Sequence, residues 1–161
     1  MEQFSILDTK FGYLGICTTK TKVRKIIYPN DLTFITKDIT HPNNHTIFMN
    51  KVIDQLNNYL AGDLKNFDVE YELSVSPFYE KVLNEVCKIP YGETATYKRI
   101  AKKIKNSFAY RAVANANANN PIPIIIPCHR VILSNGSSGG YGGGAKLKKE
   151  LIKFEKISSK I

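Results

Sequence analysis

The chain has 161 residues, 43% of them hydrophobic and 23% charged, with 23 lysines and arginines against 14 acidic residues and a formal net charge of +9. This composition excludes an intrinsically disordered chain, and no apolar run approaches the ~20 residues that a membrane-spanning helix needs. The positive excess favours an anionic partner, nucleic acid before an anionic membrane, or else serves solubility alone.

The opening MEQFSILDTKFGYLG has no basic stretch followed by an apolar one, so no secretory signal is expected. Three cysteines, Cys17, Cys87 and Cys128, form an odd set at unrelated spacings, as expected of reduced thiols in a cytosol rather than of a disulfide framework. FSILDTKFGYLGICTT and VRKIIYPNDLTFITKD are rich in β-branched and aromatic residues and are broken at Asp8-Thr9-Lys10 and Pro29-Asn30-Asp31, which predicts strands. THPNNHT, residues 40–46, reads as a polar loop. In IFMNKVIDQLNNYLAGD the apolar residues Ile47, Phe48, Val52, Ile53, Leu56, Tyr59 and Leu60 recur at helical spacing, and Gly62 closes the helix. NFDVEYELS predicts a further short strand at a sheet edge.

At Ser76-Pro77 the character changes. Serine suits an N-cap and proline the first helical position; Phe78, Val82, Leu83 and Val86 follow on one face until IPYGE ends the helix. Thr96 can cap a short helix, YKRIAKKI, and FAYRAVANANANN predicts a second one stopped by Pro121. Two short helices joined by a few residues fit a helix-turn-helix. The last segment, AKLKKELIKFEKI, predicts a basic amphipathic helix with Leu147, Leu151, Ile152 and Phe154 inward. The pattern is α+β, with a small sheet-plus-helix part over residues 1–75 and a mostly helical part over 76–161 that holds every unusual motif.

The chemistry concentrates in NNPIPIIIPCHRVILSNG, residues 119–136. A thiol near its ordinary pKa of about 8.5 is mostly protonated at neutral pH, so Cys128 as a nucleophile needs an activator; the alternative is a buried structural cysteine. His129 is adjacent, but neighbours along extended chain point to opposite faces. A direct contact needs a turn here; otherwise a bridging water, or a carboxylate orienting the imidazole, must serve. The prolines at 121, 123 and 127 forbid an ordinary helix through the segment. Upstream, RAVANANANNP is slim and carries Arg111 as its lone cation. It either packs against a neighbour or lies in a DNA groove with the arginine placed to fill a gap in a base stack. Downstream, GSSGGYGGGA is either a linker or a lid with Tyr141 over a flat ligand, and it lacks the Lys-Ser/Thr ending of a phosphate-binding loop. Cys17, His41, His45, Cys87 and His129 show no paired ligand spacing, so neither a metal nor a cofactor is expected, and Cys17 and Cys87 read as core residues.

IPCHRV at 126–131, the Asn-Pro pair just upstream, RAV at 111–113, GETATY at 92–97 and Glu155 in the last helix, at these mutual spacings, resemble the O6-alkylguanine-DNA alkyltransferases, also called methylated-DNA–protein-cysteine methyltransferases. The resemblance is specific over residues 77–156 and compatible before them. It implies a ribonuclease H-like N-terminal sheet with a helix, packed on a winged-helix-type C-terminal domain that binds DNA and performs the transfer. By the same resemblance Cys128 is the alkyl acceptor, and His129 and Glu155 form, with a water, the relay that draws off its proton. Tyr97 donates to the flipped guanine, and Asn120 braces the helix-turn-helix against the active segment. Arg111 is the finger that replaces the extruded base, while Asn117 and Ala118 face the minor groove and Arg130 joins the DNA-binding set. The backbone carbonyls of Cys128 and Val131 read the guanine amine, with Pro123, Tyr141, Gly142 and Gly143 completing the base pocket.

The implied activity is suicidal repair: SN2 attack by Cys128 on the alkyl carbon of O6-alkylguanine in duplex DNA (O4-alkylthymine being the weaker implication), one turnover per molecule, by a monomer in the cytoplasm or a eukaryotic nucleus. Gly142 departs from the serine or larger polar residue of many relatives, Ala114 from a frequent glycine, and the zinc ligands of some N-terminal parts have no match. Three readings compete. A lesion-recognition protein of the alkyltransferase-like type lacks the cysteine that is present here. A Cys-His hydrolase suits an adjacent histidine poorly, and no oxyanion motif is visible. A regulator would call for a four-cysteine cluster, which this sequence does not offer.

Overall fold

In the computed structural model, which describes residues 2–32 and 44–161, tight turns build the first sheet. β1 (Gln3–Thr9) folds back on β2 (Gly12–Thr18) around a turn in which the Phe11 amide donates to the Thr9 hydroxyl at 3.1 Å. β2 then pairs antiparallel with β3 (Val23–Ile27), giving the order β1-β2-β3. The break at Pro29 is a single helical turn, α1 (Pro29–Leu32), which buries Leu32. The predicted strand residues 33–38, loop residues 40–43 and His41 lie outside the described residues.

α2 (Ile47–Ala61) starts where the Thr46 hydroxyl accepts from the Met49 amide at 3.1 Å, a cap worth about 1 kcal/mol. It ends at Gly62, whose φ of 88° lets its amide bond back to the last turn. Met49, Val52, Leu56, Tyr59 and Leu60 form its buried stripe; Ile47, expected on that stripe, is 91% exposed in the first turn. The NFDVEYELS segment is not a strand. It passes only the first residue of β3, so one parallel bridge, Val23 with Tyr71, forms and the ladder stops there.

The chain divides into two compact units, Met1–Leu73 and Ser74–Ile161. The second opens with α3 (Pro77–Val86), capped by Ser76, whose hydroxyl accepts from Tyr79 at 3.3 Å. β4 (Ala95–Thr96) leads directly into α4 (Tyr97–Lys103), capped by Thr96, and a turn through Lys105 at φ 61° precedes α5 (Tyr110–Ala118). α4 and α5 are the helix-turn-helix. Val82, Leu83, Val86, Ile100, Val113 and Ile126 meet in its core, each fully buried aliphatic side chain stabilising by about 1.5–3 kcal/mol. The short parallel pair of β4 with β5 (Val131–Ile132) fixes Tyr97 beside the cysteine segment. α6 (Ala145–Ser158) closes the unit.

Candidate active site

An asparagine clamp shapes the chain ahead of Cys128. Buried Asn120 donates Nδ2 to the Ile126 carbonyl at 2.9 Å, and its Oδ1 accepts from the Ile122 amide at 3.0 Å. Inside the clamp Ile124 sits at φ 75°, a left-handed conformation that costs a β-branched residue about 1–3 kcal/mol. Pro127 then feeds a 3-10 turn over Cys128–Arg130. The pair Cys128-His129 is therefore not extended, and both side chains are buried, at 1% and 0% exposure.

Glu155 reaches this turn from α6. Its Oε1 accepts from His129 Nε2 at 2.7 Å, and Arg130 donates Nε to Oε2 and Nη2 to Oε1, each at 2.9 Å. Arg130 Nη1 donates to the Ile89 carbonyl at 2.7 Å. The Gly92 amide approaches Oε2 at 3.4 Å. With φ 80° and Ser159 Oγ only 2.7 Å from where a Cβ would stand, only glycine fits there. Burial pulls the Glu155 carboxyl up, but the hydrogen bonds and charges of His129 and Arg130 together outweigh it and bring the pKa down to about 2. Burial lowers the His129 pKa, with the charges of Arg130 and Lys148 assisting against the pull of Glu155. An ionised Glu155 can only accept, so Nε2 carries the imidazole hydrogen and Nδ1 keeps a lone pair. Nδ1 is buried and meets no hydrogen-bond donor among the described residues.

A second buried cation stands nearby. Lys148, 0% exposed, donates Nζ to the Tyr97 hydroxyl at 3.2 Å and to the Gly140 carbonyl at 3.3 Å, with the Tyr97 and Tyr141 rings 5.5 and 5.9 Å away. Burial lowers its pKa to about 8 against the opposing charge of Cys128. The Tyr97 phenol is raised, by burial first and the Cys128 charge second, so it keeps its proton as a donor. Gly139, at φ 69°, brings the glycine loop onto Tyr97, where a Cβ would stand 3.0 Å from the phenol oxygen. Lys148 is the residue the sequence reading missed. Its signal was positional, since it stands two helical turns before Glu155 on the same face of α6.

The remaining predicted residues separate. Arg111 and Ala118 are exposed on α5, and Arg111 shares a cleft of about 390 Å³ with Tyr97, Lys98, Tyr110, Ala114 and Leu133. Asn117, expected to face the minor groove, points inward and donates Nδ2 to the Cys128 carbonyl at 3.0 Å. Arg130, expected on DNA, is spent on Glu155 and Ile89 and is 6% exposed. The Cys128 carbonyl, expected to meet the guanine amine, accepts from both Asn117 and the Val131 amide. Pro123, Val131 and Gly143 are buried, Tyr141 is half-buried and Gly142 is exposed. Cys87, read as a core residue, is exposed at the C-terminal cap of α3, just past the buried face that ends at Val86.

Residues 77–157 match the family model described as the 6-O-methylguanine DNA methyltransferase, DNA binding domain. The chain is 48% identical over 113 residues to a methylated-DNA–protein-cysteine methyltransferase of Methanosarcina mazei, covering 70% of this chain and 72% of that protein. It is 50% identical over 104 residues to the enzyme of that name from Mycobacterium bovis, covering 65% of this chain and 63% of that one. Among solved structures, the O6-methylguanine methyltransferase of Mycobacterium tuberculosis superimposes with a TM-score of 0.83 at 36% identity, over 98% of this chain and 94% of that one. The complex of the Mycobacterium tuberculosis protein with DNA gives 0.83 at 35% identity, over 96% and 93%.

Proposed function

Because the chain belongs to the 6-O-methylguanine DNA methyltransferase family, we propose that Cys128 is the residue that takes the alkyl group and that His129, Glu155, Tyr97 and Lys148 serve it. The reaction is direct repair: a methyl group passes from O6-alkylguanine in DNA to a cysteine of the protein, once per molecule. The observation that supports Cys128 as that cysteine is the buried His129–Glu155–Arg130 cluster built into its own turn.

The bare Nδ1 of His129 takes the thiol proton through one water, and Glu155 stabilises the imidazolium that results. The sulfur attacks the alkyl carbon, forming the S–C bond as the C–O6 bond breaks, and the electron pair passes to the guanine. Tyr97 donates a hydrogen bond to the base as that charge develops. The product is a thioether, a poor leaving group, and the described residues of the site include no group to remove it. Lys148 places its charge beside the sulfur and holds the Tyr97 hydroxyl in line.

Reaching the base requires flipping it from the duplex, which costs a few kcal/mol. Arg111 fills the gap it leaves, and exposed Ala118 lies along the groove. Pro123, Val131, Tyr141, Gly142 and Gly143 line the base pocket, with Asn120 holding the segment in place. Residues 76–161 act as the DNA-binding and transfer domain. One chain carries every group that the transfer uses, so the working form is a monomer. It acts where DNA is kept, in the cytoplasm or in a eukaryotic nucleus.

Intact-mass spectrometry tests the reading after mixing the protein with duplex DNA holding one O6-methylguanine. One methyl group per chain is expected on the peptide containing Cys128, and none with undamaged duplex; a methyl on any other peptide refutes the assignment. Lys148→Met should slow transfer by roughly ten- to a hundredfold, the scale of one charge-assisted hydrogen bond of about 1.5–3 kcal/mol. It should also remove from the rate–pH profile the step near pH 8 that Lys148 contributes. Single-turnover kinetics across pH reads both effects.

A further inference from the structure

The helix-turn-helix carries two aromatic side chains that its core does not use. Phe108 is 93% exposed and Tyr110 37% exposed, immediately ahead of Arg111. Neither exposure helps folding, since each leaves apolar surface in water that a polar residue would not. Tyr110 sits among cations, with Lys98 Nζ 5.8 Å and the Arg111 guanidinium 5.9 Å from its ring centroid. It also lines the cleft that runs from Arg111 to Tyr97.

The charge around the pair is of one sign. Between Glu93 and Glu150 the sequence has no acidic residue at all, while α4, α5 and their turn carry Lys98, Arg99, Lys102, Lys103, Lys105 and Arg111. An acidic peptide would answer the cations but would leave the two rings in water. Duplex DNA answers both, because its phosphates meet the lysines while apolar wedges enter between base steps.

We propose that Phe108 and Tyr110 form an aromatic ridge that contacts the DNA beside the flipped nucleotide, Phe108 as a wedge at the neighbouring base step and Tyr110 against the deoxyribose next to Arg111. The proposal rests on the DNA-repair reading and adds a contact that neither that reading nor its catalytic residues require. The ridge supplies binding that does not depend on counterion release. The lysines that meet the phosphates supply the part that does.

The test is DNA affinity by fluorescence anisotropy at several salt concentrations, using the whole chain and a labelled O6-methylguanine duplex. Phe108→Ala should weaken binding by about tenfold, within the range of aromatic–base contacts, and leave the slope of log K against log salt unchanged. Lys102→Ala should flatten that slope by about 0.9, one phosphate's worth. Since the chain has no tryptophan, Phe108→Trp adds a single reporter, and its emission should be quenched on DNA binding. Phe108 is too exposed for either change to affect folding, and an unaltered thermal midpoint checks this.

If the wild type binds the duplex, but Phe108→Ala binds as tightly and the Phe108→Trp emission does not change, the ridge is refuted and the repair reading stands. If the wild type neither binds DNA nor takes a methyl group, the repair reading itself has failed. Self-association that is lost in Phe108→Ala, with DNA affinity unchanged, would make the ridge a contact between copies of the chain and overturn the proposal.

Discussion

Cys128→Ser should give no methyl adduct at all on a duplex containing O6-methylguanine, while binding that duplex as the wild type does. Removing a catalytic nucleophile costs on the order of 10⁶ in rate in a well-studied hydrolase, which in a single-turnover reaction reads as no product. A thiol ionises near pH 8.5 and a buried histidine base can draw off its proton; a serine hydroxyl lies far outside that reach. The exchange is small in volume, and the contacts that hold this turn are made by backbone atoms and neighbours. Asn117 binds the Cys128 carbonyl, and Arg130 and His129 bind Glu155. Binding should therefore survive, and intact mass beside anisotropy reads the two halves separately. A Cys128→Ser protein that still took a methyl group would move the acceptor to Cys17 or exposed Cys87. A wild type that bound the lesion tightly without gaining mass would instead be a lesion-recognition protein.

The local signals that predicted elements were short-range ones. Ser76-Pro77, Thr96 and Gly62 each start or stop a helix through one or two hydrogen bonds, and all of those bonds are formed. The reactive segment was equally legible, since cysteine beside histidine and a carboxylate in a later helix limit the chemistry. Burial of polar side chains was not legible. Hydrophobic periodicity puts Leu147 and Leu151 of α6 inward, but Lys148 and Glu155 share their stripe and look like surface charge until the opposing groups are in view. The burial of Arg130 and Asn117 was hidden for the same reason. The resemblance places both toward DNA, and in the structure both hold the cysteine turn. The Cys128-His129 geometry stays open in the sequence because two residues do not reveal a 3-10 turn; Pro127 and the Asn120 clamp impose it. The lost strand near Tyr71 is a matter of length, since β3 gives it only one partner.

Glu155→Gln should cost more than any other change at the site in stability, and nearly as much as Cys128→Ser in transfer. The carboxylate is 1% exposed and takes three hydrogen bonds from His129 and Arg130. Glutamine keeps the shape but leaves the Arg130 guanidinium buried without its counter-charge, a break that costs about 3–5 kcal/mol. Linkage gives a comparable figure. A carboxyl at about pH 2 in the fold and about 4.3 unfolded contributes about 3 kcal/mol at neutral pH. The sign follows from proton counts. Between those two values the unfolded chain binds more protons than the folded one, so this stability is full above about pH 4.3 and drains away as pH falls toward 2. His129 adds an earlier loss of the same sign: its folded pKa is lowered, so acidification below the ordinary imidazole value of about 6.5 protonates the unfolded chain first. Urea midpoints measured from pH 7 to pH 2.5 should therefore fall in two stages for the wild type. In Glu155→Gln the acid stage should vanish from a curve already lowered at pH 7. If the variant kept the wild-type midpoint and its acid stage, Glu155 would not be the ionised centre of the cluster. The imidazole tautomer that leaves Nδ1 its lone pair would then lose its basis, and with it the proposed relay.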